Sequence, residues 1–204
     1  LKNCAIINQW KTVQRDGEEK MSKISAFLAE GMEEVECLAV VDIARRAGIE
    51  VEMVSVAGGR AVTGSHGITV LADVTFEDAT FDESDVLFLP GGLPGVTNLA
   101  AHEGLRALLP RFAAQGKRLA ALCAGPSVLG GLGLLRGRTA TCYPGWEERL
   151  EGAHYTPQGV VTDGNVTTAR GLGFAIDMGL ELVRLLKDEE KAAEIKRAIQ
   201  HPAC

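Results

Sequence analysis

The stretch "LAALCAGPS" (residues 119–127) is an apolar run that ends on a cysteine and turns at once on Ala-Gly-Pro. A buried strand is expected to finish on Val, Ile or Leu, and a disulfide cysteine needs a partner. The run reads instead as a device for holding one thiol, Cys123, in a sharp strand-to-helix turn. Nucleophiles of α/β folds occupy such turns, and small neighbours let the next helix pack close to the strand. Ala124 and Gly125 meet that need. The start of the following helix directs backbone N–H groups at the sulfur, which favours a thiolate. The alternative, a small core hydrophobe at a strand end, is the ordinary fate of a lone cysteine. The rest of the chain has to decide between them.

From Met21 the chain alternates strand and helix. "KISAFLA" (23–29) reads as a strand, followed by a helical run to Ala47, and "EVEMVSVAG" (50–58) as the next strand. "GITVLAD" (67–73) reads as a strand of a hairpin, "DVLFLPGG" (85–92) as a buried strand, residues 100–115 as a helix, "RLAALC" (118–123) as a strand and 126–135 as a short helix. "RTATCYPG" (138–145) and "GVVTDGNVTTARG" (159–171) supply further strands, the second with an Asp-Gly-Asn turn. "FAIDMGLELVRLL" (174–186) is an amphipathic helix, and "DEEKAAEIKRAI" (188–199) a charged one. Strands alternating with helices predict an α/β fold, a parallel sheet sandwiched by helices. Ligands then bind beyond the carboxyl ends of the strands. Three such ends are unusual here, "AEGMEE", "PGGLPG" and "CAGPS", and all three should open toward one edge.

The bulk numbers agree with one globular domain. The chain has 204 residues, 46% hydrophobic and 24% charged, with 24 glycines and only 5% aromatics. A net charge of −6 argues against nucleic acid, whose phosphates require clustered Lys and Arg. No apolar run approaches the ~20 residues of a membrane helix, so a cytoplasmic protein without membrane partners is expected. Five cysteines without paired spacing form no disulfide framework, and no Cys-x-x-Cys or His-x₃-His pattern points to zinc. Residues 1–20, "LKNCAIINQWKTVQRDGEEK", have no initiator Met, little periodicity and no turn residues in a recognisable order. Gly-Glu-Glu-Lys before Met21 is compatible with a purine-rich ribosome-binding site, so residues 1–20 are expected to be a non-native upstream extension and 21–204 the single domain.

Two further features bear on Cys123. "PGG" (90–92) is either ordinary turn punctuation or an oxyanion site, because bare backbone N–H groups approach a substrate oxygen only where side chains are absent. Residues 36, 40, 43 and 47 share one helix face, so Glu36 heads a stripe otherwise made of Val40, Ile43 and Ala47. Glu34 falls toward the side carrying Arg45, and Glu33 in the first turn complements the helix dipole. A carboxylate on a buried face must be protonated, partnered or snorkelling. Beside Cys123, two anions would repel, so the consistent arrangement keeps Glu36 protonated and donating to the thiolate, with the acid's pKa raised and the thiol's lowered.

The motifs "AEGMEEVE", "VVDIARRAGIEV", "LFLPGGLPGVTNL", "AALCAGPSVL", "GAHYT" and "TTARGLG" together resemble the ThiJ/PfpI superfamily, and within it the DJ-one branch, over residues 22–198. The resemblance implies a flavodoxin-like sandwich with a nucleophile elbow at Cys123, a homodimer, and neither metal nor organic cofactor. It implies Cys123 as the reactive cysteine, Glu36 as the protonated acid beside it, and Gly92 and Ala124 as backbone oxyanion donors. Around them it places Gly91, Arg46, His66, Tyr143, Arg170 and Gly171 at the site's periphery. Tyr143 stands where the branch often has a histidine, and a phenol is a poorer proton shuttle near neutrality. His66 stands where some members carry an arginine, and Gly-Leu-Gly replaces a Gly-Pro-Gly loop. Ala124 follows the nucleophile where protease-like members have histidine, which disfavours an amidase or peptidase.

The resemblance thus implies a cofactor-free enzyme acting on a small reactive carbonyl, a 2-oxoaldehyde, as a glutathione-independent glyoxalase or deglycase. The alternative is a redox sensor or chaperone whose Cys123 is oxidised to sulfinate.

Overall fold

The computed structural model describes residues 21–202. The expected extension at 1–20 lies outside the described residues. Eleven strands and six α-helices follow in the order β1 (Lys23–Leu28), α1 (Glu34–Arg46), β2 (Glu50–Ser55), β3 (Ala61–Thr63), β4 (Thr69–Leu71), β5 (Val74–Thr75) and β6 (Val86–Leu89). They continue with α2 (Gly95–Ala101), α3 (Glu103–Ala114), β7 (Arg118–Leu122), α4 (Pro126–Gly131), β8 (Thr139–Ala140), β9 (His154–Tyr155), β10 (Val160–Asp163), β11 (Val166–Ala169), α5 (Ala175–Leu186) and α6 (Glu189–Ala198).

The central sheet has seven strands in the order β10-β11-β7-β6-β1-β2-β5, all pairs parallel except β10 with β11. The chain winds outward in both directions from β1, which leaves a crevice beyond the carboxyl ends of β1, β6 and β7. Alternate residues feed opposite faces. Ile24, Ala26 and Leu28 of β1, Val86 and Phe88 of β6, and Ala120 and Leu122 of β7 pack under α1, α5 and α6. Phe27, Leu87, Leu89, Leu119 and Ala121 pack under α2, α3 and α4. The sandwich expected from the strand–helix alternation is present, and among the described residues no helix is long and apolar enough to cross a membrane.

Several local expectations need correction. The helix expected at 100–115 is two helices broken at His102, whose extended backbone lets its ring accept from Leu105 N–H. The helix expected at 126–135 ends at Gly131, with Gly133 at positive φ two residues on. "RTATCYPG" pairs only through Thr139–Ala140, with β9 and outside the main sheet. Its next N–H groups are taken elsewhere, Thr141 N–H by the Thr168 hydroxyl and Tyr143 N–H by the Cys123 carbonyl.

Candidate active site

Strict alternation along β7 would send residue 123 to the α3/α4 face, after Leu122 on the other. Cys123 instead has φ +62, the left-handed region that non-glycine residues rarely adopt. The reversal turns its half-buried side chain onto the same face as Leu122, beneath α1. The strained residue is pinned on both sides: its N–H donates to the Ala169 carbonyl and its own carbonyl accepts from Tyr143 N–H, each at 2.8 Å. Gly125 is required next, because a Cβ there would lie 2.8–3.1 Å from the carbonyl oxygens of Leu89, Leu122 and Pro90.

The start of α1 is stitched to the loop after β6. Glu33 N–H donates to the Gly91 carbonyl at 2.9 Å, and Gly91 N–H donates back to Glu36 Oε2 at 2.9 Å. Glu33 caps the helix by accepting from Glu36 N–H. Glu36 is 1% exposed, on the stripe with Val40 and Ile43. A Cβ at Gly91 would sit 2.5 Å from both Cys123 Cβ and Glu36 Oε2, so only glycine lets thiol and carboxyl meet across this loop. Gly92 follows at φ +91.

Thiol and carboxyl form a hydrogen-bonded pair. Burial lifts Glu36 to about 7, with the charge of Glu33 adding and the thiol and the N–H groups of Gly91 and Leu172 opposing. Burial also pushes Cys123 up to about 12, helped by the charge and hydrogen bond of Glu36 and opposed by the N–H groups of Ala124 and Gly92. The sequence reading expects a lowered thiol; it is raised instead, because desolvation outweighs the helix and loop N–H groups. The pair behaves as one titrating unit that gives up its first proton near neutrality and resists losing the second. Between the two it holds one proton and one charge.

The structure brings Cys123, Glu36, Gly91, Gly92 and Ala124 together. Leu172, which sequence reading misses, adds an N–H to Glu36. A Cβ on Gly171 would lie 3.4 Å from the Tyr143 ring, which is 51% exposed. Arg170 is half-buried, its N–H bonded to the Gly159 carbonyl at 2.9 Å. His66 is exposed on the β3–β4 turn, 3.0 Å from Glu34 and 3.7 Å from Glu33. Arg46 is not part of this cluster within the chain. It lies ten residues beyond Glu36 on α1, about 15 Å along the axis, and pairs with Asp42. Glu34 is 1% exposed. Its carboxylate is held below the usual range: burial pushes it up, but its own backbone, the His66 ring and the N–H groups of His66 and Ile68 outweigh that.

The model of the DJ-1/PfpI family matches residues 22–185. The Parkinson disease protein 7 homolog of Danio rerio is 38% identical over 174 residues, covering 83% of this chain and 92% of that protein. A deglycase of Pyrococcus abyssi is 35% identical over 167 residues, 81% of this chain and 99% of that protein. The crystal structure of Drosophila melanogaster DJ-1beta matches with a TM-score of 0.85 at 34% identity, covering 88% of this chain and 98% of that one. The chain spans 40% of Protein DJ-1 homolog B of Arabidopsis thaliana, to which it is 35% identical over 175 residues, 85% of its own length. The chain belongs to the DJ-1/PfpI family.

Proposed function

We propose that this member of the family is a cysteine-dependent enzyme that converts small 2-oxoaldehydes to 2-hydroxy acids without an organic cofactor. The observation that carries the reading is the pair itself: a thiol in a strained elbow bonded to a buried carboxyl with a pKa of about 7. Once the first proton is lost near neutral pH, the pair keeps the remaining one chiefly on sulfur, and its transfer to the carboxylate yields the reactive thiolate and a carboxylic acid together, without a histidine.

The sulfur adds to the aldehyde carbon of a substrate such as methylglyoxal, and the carbonyl electron pair passes to oxygen, which takes the proton from Glu36. The N–H groups of Gly92 and Ala124 face that oxygen as charge develops. Glu36, now a carboxylate, removes the hydrogen of the former aldehyde carbon to give an enediol. Return of the proton to the neighbouring carbon leaves a thioester. Water cleaves the C–S bond, releasing the hydroxy acid and the thiol. The aldehyde carbon is oxidised and the ketone carbon reduced, so no external oxidant or reductant enters. The name of the deglycase from Pyrococcus abyssi is compatible with related chemistry on glycated groups. We further propose that the chain forms a homodimer through the exposed apolar side chains of Val35, Leu38, Ile68 and Leu71.

Methylglyoxal turnover by rigorously purified protein tests the reading. Cys123→Ala should abolish it, and Glu36→Gln, which keeps a donor but cannot shuttle protons, should lower it by ~10²–10⁴-fold. Turnover that persists in Cys123→Ala would refute the reading. Turnover lost in Cys123→Ala but undiminished in Glu36→Gln would remove the acid–base role and favour a thiol used for redox sensing.

A further inference from the structure

Two adjacent residues of β11 reach the nucleophile elbow, one directly and one at a distance. Ala169 is in register with Leu122 of β7, and its carbonyl accepts Cys123 N–H at 2.8 Å. Thr168 is in register with Ala121 and shares its face of the sheet, the one covered by α2, α3 and α4. The Thr168 side chain is 1% exposed, and its hydroxyl oxygen accepts Thr141 N–H at 2.9 Å. Two residues further on, Tyr143 N–H donates to the Cys123 carbonyl at 2.8 Å. Residues 141–143 therefore run as a strap from the Thr168 hydroxyl to the backbone of the nucleophile.

The strap needs its anchor. Past Ala140 the chain has left its ladder with β9, so no sheet pairing holds residues 141–143. Thr141 is fully buried, and a buried N–H deprived of its acceptor is costly, so the segment would shift to find another. Cys123 in turn sits at φ +62, where a residue with a Cβ persists only when its surroundings hold it. Released on its carbonyl side, Cys123 relaxes toward negative φ and its side chain swings to the α3/α4 face, away from Glu36. The hydroxyl of Thr141 is also buried but makes no hydrogen bond to any described residue. The two threonines thus share shape and burial, and only the hydroxyl of Thr168 carries the strap.

We propose that Thr168 is a positioning residue for the nucleophile: through the strap at 141–143 its hydroxyl oxygen keeps Cys123 in the left-handed elbow, and so keeps the thiol against Glu36. Thr168 touches no substrate and moves no proton. It acts on the rate by geometry alone, and a displacement of about 1 Å at a reacting atom can cost ~10²-fold. The assignment deepens the enzymatic reading above and rests on it for turnover, whereas the reactivity of the thiol reports on it without any turnover. One strand that carries neither the thiol nor the acid thereby governs both backbone hydrogen bonds of Cys123.

The test compares three variants of the full chain. Thr168→Val removes the acceptor and keeps the branched shape, Thr168→Ser keeps the acceptor, and Thr141→Val removes the buried hydroxyl that bonds nothing. Each is assayed for iodoacetamide alkylation of Cys123 near neutral pH and for methylglyoxal turnover. In Thr168→Val both the alkylation rate and kcat should fall ~10–10²-fold with KM little changed, the pattern of misplaced reacting groups rather than of lost substrate binding. Thr168→Ser should recover most of both rates, and Thr141→Val should match the parent. If circular dichroism shows Thr168→Val unfolded, Thr168→Ala removes the same acceptor without setting a methyl against the N–H and carries the same expectation. Alkylation at the parental rate in the folded acceptor-free variant, equal slowing in Thr141→Val, or Thr168→Ser as slow as Thr168→Val would overturn the proposal. A parent that is alkylated as expected but does not turn over methylglyoxal would defeat the enzymatic reading instead, and the alkylation rates would still decide the role of Thr168.

Discussion

Raising the pH through neutrality should destabilise the folded protein at one buried group. Glu36 is lifted from 4.5 to about 7 in the folded chain, first by burial and further by the charge of Glu33. A carboxyl whose folded pKa is raised binds its proton more tightly when folded. Its stabilising contribution is therefore complete below 4.5 and is lost as pH rises through about 7. At 1.36 kcal/mol per pKa unit, the loss is about 3 kcal/mol. Urea unfolding of the parent and of Glu36→Gln, measured from about pH 4.5 to about pH 8.5, isolates this group, because other titrations cancel in the difference between two linked curves. The glutamine variant cannot ionise there. The parent should fall relative to it by roughly 3 kcal/mol across the window. Cys123→Ala removes a hydrogen bond that holds Glu36 down, so it should shift the window to higher pH. Parent and Glu36→Gln curves that stay parallel would show that Glu36 ionises as easily folded as unfolded, and the shared-proton pair would be gone.

Other outcomes follow from the same geometry. Iodoacetamide should alkylate Cys123 with a rate that rises as the pair with Glu36 gives up its first proton near pH 7, while Cys37 and Cys142, buried and with no carboxyl bonded to the thiol, stay inert; peptide mapping that finds either modified first would reverse the assignment. Gly91→Ala should cost roughly 1–3 kcal/mol by overpacking and should also slow Cys123 alkylation, whereas Gly116→Ala, where a Cβ meets nothing, should leave that alkylation unchanged; equal alkylation rates would show that the loop does not hold the pair together. Sedimentation velocity should give a dimer that Val35→Glu weakens, and a monomer independent of concentration would refute it.

Much of the site is legible in the sequence because it is built from strand ends. "RLAALC", "DVLFLPGG" and "KISAFLA" are apolar runs stopped by small residues or acids, and parallel topology carries all three ends to one edge. The four-residue rhythm from Glu36 to Val40 is enough to bury the acid. What escapes is set by long-range contact. Leu172 reaches Glu36 from 136 positions away in sequence, through a backbone N–H that no side chain advertises. The strand expected at 138–145 stops after Ala140 because the Thr168 hydroxyl and the Cys123 carbonyl capture N–H groups that a ladder would need. His102 breaks a helix by capping the next one, a role that Ser, Thr, Asp or Asn would have announced.

The first turn of α1 shows why a spacing argument can place residues and still miss their chemistry. Glu33, Glu34 and Glu36 fall within four positions, all under 9% exposed, and each meets the expense of burial differently. Glu33 uses the helix terminus, accepting Glu36 N–H where the backbone has orphan donors. Glu34 reaches across to the β3–β4 turn, and the N–H groups there hold it ionised. Glu36 has two backbone N–H groups and a thiol, yet burial still leaves it protonated close to neutrality. The three states are coupled, because the charge on Glu33 raises Glu36, and His66 lies beside Glu33. A positive charge brought beside Glu33 would weaken that push and ease ionisation of the thiol–carboxyl pair. The hairpin turn therefore bears on Cys123 without touching it, through a single glutamate that faces both ways.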